Sequence, residues 1–182
     1  METDMRFNSA EYLVDRFLND IIRLCLVYVK NMDDAQDIAQ QVFVTYLHKK
    51  PTFVSEEHAK NWLFKVAVNL SKNHLRSLRH GEISFDELEC VLSTGDSGGS
   101  TRTESEEQVL AAVMKLKRIY REIIHLYYYC DYNTTEMSKI LGIPAASVRS
   151  RLARARTLLE KQLKGGIADE NGIQKRDEQD KG

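Results

Sequence analysis

The stretch Asn133 to Leu163, NTTEMSKILGIPAASVRSRLARARTLLEKQL, constrains this chain more than any other, because its pattern reads as a helix, a tight turn and a second helix. Thr134 or Thr135 is placed to cap a first helix whose apolar positions Met137, Ile140 and Leu141 face inward. Leu141-Gly142-Ile143-Pro144 then stops it with a glycine and a proline. Ser147 lies near the start of the next helix, where Val148, Leu152, Ala155 and Leu159 recur at helical spacing as a core stripe. Arg149, Ser150, Ala153, Arg154 and Arg156 are left on the other faces. Six basic residues (Arg149, Arg151, Arg154, Arg156, Lys161, Lys164) stand there against one acid, Glu160. Arginines on a helix that follows a glycine-containing turn can pair with guanine edges and phosphates in a major groove. The plainer alternative is a solvated basic face on an ordinary helical hairpin.

With 182 residues, 42% of them hydrophobic and only 2 prolines, the chain can bury one moderate core or two small ones, and two small helical domains fit better. No apolar run approaches the roughly 20 residues needed to cross a bilayer. The start METDMRF lacks a basic-then-apolar signal pattern, so the expectation is a cytoplasmic protein with no stable membrane insertion. Cys25, Cys90 and Cys130 are scattered and without CxxC spacing, and the histidines form no metal-ligand pair, so no metal, cofactor or disulfide framework is expected.

A net charge of -1 suits a DNA-binding chain only once the charges are placed. From Lys65 to His80 the chain carries Lys65, Lys72, Arg76 and Arg79 and no acid. Between Gly81 and Glu107, Glu82, Asp86, Glu87, Glu89, Asp96, Glu104, Glu106 and Glu107 face a single Arg102. Two basic helical regions are thus joined by an acidic connector.

Three helical patterns fill residues 1–80. The first, about Ala10 to Lys30, carries Leu13, Phe17, Leu18, Ile21, Ile22 and Leu24; the second, from Asp33-Asp34-Ala35 to near Pro51, carries Ile38, Val42, Phe43, Tyr46 and Leu47. The third, about Lys60 to Arg79, sets Leu63, Val66, Ala67 and Leu70 on one face. Lys65, Asn69, Lys72, Asn73 and Arg76 share a polar stripe flanked by Trp62. Residues 81–105, with the run Ser93-Thr-Gly-Asp-Ser-Gly-Gly-Ser-Thr101, read as a flexible linker. Residues 106–165 carry helices near Gln108 to Met114 and Arg118 to Tyr129 before the two already described, and 166–182 read as a disordered tail. The expected fold class is all-α: an N-terminal helical bundle and a C-terminal four-helix helix-turn-helix domain.

Taken in order, these motifs resemble a bacterial sigma factor of the extracytoplasmic-function (ECF) type, in the sigma-70 family, over nearly the whole chain. Asp34-Ala35-Gln36-Asp37-Ile38-Ala39-Gln40-Gln41-Val42-Phe43 resembles the helix that docks on the clamp coiled coil of core RNA polymerase, and Trp62-Leu63-Phe64-Lys65-Val66-Ala67-Val68-Asn69 the promoter -10 segment. Tyr120-Arg121-Glu122-Ile123-Ile124 and Val148-Arg149-Ser150-Arg151-Leu152-Ala153-Arg154-Ala155-Arg156 resemble the domain that reads the -35 element.

The resemblance implies a polymerase-docking set of Asp34, Asp37, Ile38, Gln40, Gln41 and Phe43. It implies a -10 set of Phe53, Trp62, Lys65, Asn69, Lys72, Asn73 and Arg76, in which Asn69 and Asn73 read or hold the strand and the loop around Phe53 holds a flipped base; the alternatives are that Trp62 is a packing residue at the helix start and Phe53 a plug in the core. It implies a -35 set of Thr134, Thr135, Ser147, Arg149, Ser150, Arg151, Ala153 and Arg154, with Arg151, Arg156 and the Thr134-Thr135 helix start nearer phosphates; the alternative for Arg151 and Arg156 is an intramolecular ion pair. Ala153 stands where relatives often carry a larger side chain, and Gln36 and Gln41 where they often carry acids. Implied partners are core polymerase, at its beta-prime clamp and beta flap, promoter DNA and an anti-sigma protein; no catalysis is expected. The alternatives are a helix-turn-helix regulator that binds operators without polymerase, which has no need of the Asp34–Phe43 helix or the asparagine face, and a serine recombinase, for which the first block lacks a nucleophilic site.

Overall fold

The structure, a computed structural model, describes residues 5–80 and 104–165; the expected linker up to residue 103 and the expected tail lie outside the described residues. Every regular element among the described residues is helical. After a short 3-10 turn (Met5–Asn8) come α1 (Ala10–Val29), α2 (Met32–Lys49) and α3 (Glu56–His80), then α4 (Glu104–Lys115), α5 (Arg118–Tyr128), α6 (Thr134–Leu141) and α7 (Ala145–Gly165). Helix α3 begins four residues before the sequence pattern suggests. Ser55 explains this: its hydroxyl accepts the His58 N–H at 3.1 Å, and Glu56 and Glu57 stand at the positive helix start.

Helices α1 to α3 pack a bundle in which Leu13, Phe17, Ile21 and Leu24 meet Ala35, Val42, Leu63 and Ala67. Small residues at 35 and 67 let the axes approach closely. Helix α2 is capped by Asn31, whose side chain accepts the Asp34 N–H at 3.0 Å, and carries Asp33 and Asp34 in its first turn. Leu47, expected in the α2 core stripe, is exposed: in the last turn Tyr46 takes the inward position that Ala39 and Val42 hold in the turns before, and Leu47 falls outside it.

In the second half α5, α6 and α7 bury Ile123, Ile124, Leu126, Met137, Ile140, Leu141, Val148, Leu152 and Ala155. The sequence placed the α6 cap at Thr134 or Thr135. It is Asn133: its side chain accepts the Thr135 and Glu136 N–H groups at 2.9 and 3.0 Å, and Glu136 returns a bond to the Asn133 N–H at 2.8 Å. Gly142 then takes a left-handed φ of 69°, which turns the chain into α7.

The two halves are packed against each other. Helix α5 lies on α1 and α6 on α3, and the buried apolar residues form one continuous cluster. Buried Arg121 of α5 donates from Nε to the Val27 carbonyl of α1 at 2.7 Å, and from Nη1 to the Met114 and Leu116 carbonyls at 3.1 and 3.0 Å. It thereby satisfies carbonyls that helix ends leave open.

Candidate nucleic-acid interface

Helix α7 presents Arg149, Ser150, Ala153 and Arg154 on one exposed face, because Val148, Leu152 and Ala155 take the opposite side into the core. Arg149 and Arg154 have no hydrogen bond or ion pair among the described residues. Arg151 is different. Its Nη1 lies 3.8 Å from Oε1 of Glu122, a carboxylate only 3% exposed that also receives Arg118 Nη1 at 3.2 Å. Arg151 therefore braces α7 on α5, and a phosphate contact is at most its second duty. Arg156 is likewise tied inward, donating from Nε to the Tyr128 hydroxyl at 2.9 Å with its guanidinium over the Tyr127 and Tyr128 rings. With Asn133 serving as the cap, the hydroxyls of Thr134 and Thr135 are left over at the start of α6, and Ser147 is half-buried in the first turn of α7. Tyr120, Ala153, Arg154, Thr157 and Leu158 line an open groove of about 360 Å³ along this face.

On α3, Lys65, Asn69, Asn73 and Arg76 are exposed along one stripe, with Arg76 Nη1 3.4 Å from the Asn73 side-chain oxygen. Lys72 belongs to this stripe by spacing but is half-buried, and its Nζ donates to the Leu141 carbonyl at the end of α6 at 3.1 Å. Burial, and then the cations Arg118, Arg151 and Arg76 around it, lower its pKa from the ordinary lysine value; the Glu122 carboxylate works the other way.

The loop before α3 holds the other expected -10 residues. Phe53 is 2% exposed and its ring stacks on Tyr46, with Trp62 and His58 also packed on it, so the ring is a core plug in this conformation. Asn8 fixes this loop: its side chain accepts the Phe53 N–H at 2.7 Å and donates to the Phe53 carbonyl at 3.1 Å, and its own carbonyl accepts the Tyr46 hydroxyl. What the loop exposes is Val54, at 79%. Half-buried Trp62 meets Tyr46 edge-on, a packing role. The Asn8 clamp escapes the sequence because it joins residues 45 apart with no shared pattern.

Of the expected docking set on α2, Asp37, Gln40 and Gln41 are exposed and Asp34 is half-buried, 3.4 Å from His74 Nε2. Ile38 and Phe43 are buried and hold the helix to the bundle. Exposed Val44, which the sequence did not single out, adjoins the polar positions.

A helix-turn-helix with a free arginine face, joined to a three-helix bundle with a basic asparagine stripe, defines a two-part DNA-binding protein. Comparison with known families names it. Residues 13–81 match the family model described as sigma-70 region 2, and residues 106–159 the one described as sigma-70, region 4. RNA polymerase sigma factor SigV of Bacillus subtilis is 33% identical over 79% of this chain and 84% of its own length. ECF RNA polymerase sigma factor SigM of the same organism is 30% identical over 89% and 99%. The chain belongs to the ECF sigma factors of the sigma-70 family. Its fold is shared with the sigma factor RpoE of Bartonella quintana, solved in complex with the anti-sigma factor NepR: TM-score 0.69, 21% identity, covering 85% of this chain and 96% of that one. It is shared also with CnrH, solved with the cytosolic domain of CnrY, at a TM-score of 0.59, 21% identity and coverage of 86% and 88%. Among the described residues no helix is long and apolar enough to cross a membrane, and no group of His, Cys, Asp or Glu is arranged to hold a metal ion.

Proposed function

We infer that this chain delivers core RNA polymerase to promoters bearing two short elements and helps melt the edge of the bubble, working in the cytoplasm as an initiation factor and not as a catalyst. Residues 1–80 form the docking and -10 unit, 81–105 a connector, 106–165 the -35 unit and 166–182 a tail. Asp34, Asp37, Gln40 and Gln41 of α2 meet the beta-prime clamp, and the C-terminal half meets the beta flap. Asn69 and Asn73 hold the melted strand, since an amide offers donor and acceptor to an exposed base edge, with Lys65, Lys72 and Arg76 on phosphates. Arg149, Ser150, Ala153 and Arg154 face the upstream major groove, and the small Ala153 leaves room for a thymine methyl. An anti-sigma protein is the fitting regulator.

The observation that carries this reading is the pairing of two free polar faces: the arginine face of α7, kept clear by Arg151 turning to Glu122, and the asparagine stripe of α3. Run-off transcription with purified core polymerase tests it. Promoter-dependent transcripts that need both elements are expected; none across a genomic promoter library would overturn it.

A further inference from the structure

The loop between α2 and α3 carries a buried peptide that its own residues do not satisfy. Phe53 is almost fully buried, and it belongs to no helix that would pair its N–H and carbonyl. Asn8 pairs both. Its side-chain oxygen accepts the Phe53 N–H at 2.7 Å and its amide donates to the Phe53 carbonyl at 3.1 Å, the two-way pairing that a neighbouring strand would offer. Asn8 is itself anchored. Its carbonyl accepts the Tyr46 hydroxyl from α2, Phe7 beside it packs on the core, and the Ser9 N–H closes the turn on the Arg6 carbonyl at 2.9 Å.

This clamp decides which side chain the loop shows. With the Phe53 peptide pinned, its ring lies against Tyr46 and Trp62, and Val54 is left more exposed than any other large apolar side chain among the described residues. A single valine in water is ordinary. What sets this one apart is a backbone fixed on both sides: α2 ends at Lys50 with a left-handed φ of 45°, and Ser55 caps α3 immediately after Val54. Such a side chain is a preset contact, because binding need not order the loop first. The loop also adjoins the asparagine stripe. The Phe53 and Trp62 ring centroids are 5.9 Å apart, and Asn69 follows Trp62 by two helical turns, about 10 Å along the axis. A strand held by Asn69 and followed toward the start of α3 therefore comes to this loop.

We propose that Asn8 is a positioning residue for promoter selectivity: its paired hydrogen bonds to Phe53 hold residues 51–55 so that Val54 walls the place where a displaced base at that end of the stripe is sorted. This rests on the sigma reading above and gives a part to the N-terminal turn, which holds none of the expected site residues. The valine methyls favour a base edge with no hydrogen-bonding group toward them, since a polar edge pressed on them loses its water without gaining a partner. A loop released from Asn8 spreads over several conformations, and the wall is lost with its fixed position.

The full chain is compared with Asn8→Ala and with Asn8→Asp, which keeps the acceptor for the Phe53 N–H and loses the donor to its carbonyl. Tyr12→Phe is the structural control: it removes the 2.7 Å bond to Glu56 at the start of α3 and leaves the Phe53 peptide paired. In the free protein, hydrogen exchange of the Phe53 amide is expected to quicken about tenfold in Asn8→Ala, less in Asn8→Asp and not in Tyr12→Phe, with Leu63 to Val68 of α3 unchanged. Holoenzymes then transcribe promoters carrying single-base changes through the downstream element, each scored as a ratio to the matched promoter so that an inactive fraction cancels. Asn8→Ala is expected to lose about fivefold in selectivity at one base position, the same one at which Val54→Ala acts, with no further loss in the double variant. Asn8→Asp, expected to fall between, keeps the test open if Asn8→Ala fails to fold. Unchanged Phe53 exchange overturns the proposal, as does selectivity that holds at every position or falls alike at all of them. Active holoenzyme with unmoved selectivity sinks the positioning role alone, whereas absence of promoter-dependent transcripts from the unaltered holoenzyme sinks the sigma reading and this role with it.

Discussion

On α7, Arg149 and Arg154 project from a helix whose far side is bolted to α5, and no described residue answers their charge; on α3, Lys72 projects from an equally firm helix but is already spent on a carbonyl of the other half. Both helices follow the same rule, an apolar side inward and a cationic side outward. They differ in what lies beside the cationic side. Helix α7 has the groove bounded by Tyr120 and Leu158, whereas α3 has α6. The arginine face of α7 is therefore clear as folded, whereas the ammonium of Lys72 on α3 is already engaged by the end of α6. Rigid packing prepares a face for DNA only where the packing stops short of that face.

The firmest way to break this contrast is to remove the anion that holds α7. Glu122→Ala leaves the half-buried Arg118 and Arg151 with Lys72 close by and no carboxylate among them. Breaking a buried pair from one side typically costs 3–5 kcal/mol, and because both guanidinium groups are about a third exposed the expected loss is about 3 kcal/mol in urea unfolding. Arg149→Ala should leave the urea midpoint unchanged. Equal, small effects from both would erase the difference between the bracing arginine and the reading arginine.

The joint between α5 and α1 is expected to weaken in acid. His125 of α5 is buried, stacked on Tyr129, and held down to about 4 by burial and then by Arg23 of α1, against an ordinary value of 6.5. Its folded value is depressed and it is a base, so between pH 6.5 and about 4 the unfolded chain takes up a proton that the folded chain refuses. Stability is complete above that window and falls as the pH descends through it, by up to about 3 kcal/mol. His125→Phe keeps the ring stack and loses the proton site. Its thermal midpoint should fall less than that of the unaltered protein between pH 7 and pH 4.5, and parallel slopes would show that the imidazole is not held neutral.

The two faces should also differ in the kind of DNA binding each supports. In the holoenzyme, Arg149→Ala is expected to lose about 2 kcal/mol at a matched promoter and to relax the preference at one base pair of the upstream element. Lys65→Ala should weaken all promoters alike and lower the salt slope by about 1. Footprinting across single-base promoter variants and a salt series separates the outcomes. Identical profiles would mean that α7 does not read sequence through Arg149.

How far these features are legible in the sequence depends on whether local pattern or long-range contact sets them. The Val148, Leu152 and Ala155 stripe and its opposed arginines are readable because a period of 3.6 fixes both faces of α7 at once. Leu47 misleads, since Tyr46 one position earlier already fills the inward side of that turn, against Phe53 and Trp62. For Phe53 the sequence leaves two readings, a holder of a flipped base and a core plug, and its stacking with Tyr46 and packing on Trp62 show the ring turned inward. Lys72 is the deepest case. Its spacing places it correctly on the polar stripe, but the carbonyl it meets is 69 residues away and belongs to a backbone that no side-chain pattern announces.

The smallest expected effect bears on the start of α6, where a one-residue difference decides which groups remain for DNA. Serine, threonine, aspartate and asparagine are all good caps, so Asn133-Thr134-Thr135 offers three candidates. The choice is settled by Glu136: only with Asn133 as cap does it stand at the third helical position, from which its carboxylate reaches back to the cap N–H. The consequence is chemical. A threonine engaged as cap has its oxygen turned to the helix, whereas Thr134 and Thr135 inside the first turn keep their hydroxyls for a phosphate at the positive helix end. Asn133→Ala is expected to lower stability by about 1 kcal/mol, while Thr135→Ala leaves stability unchanged and weakens upstream-element binding by a few fold. If instead Thr135→Ala destabilises the chain and Asn133→Ala does not, the cap lies two residues later and the hydroxyl assigned to the DNA face belongs to the fold.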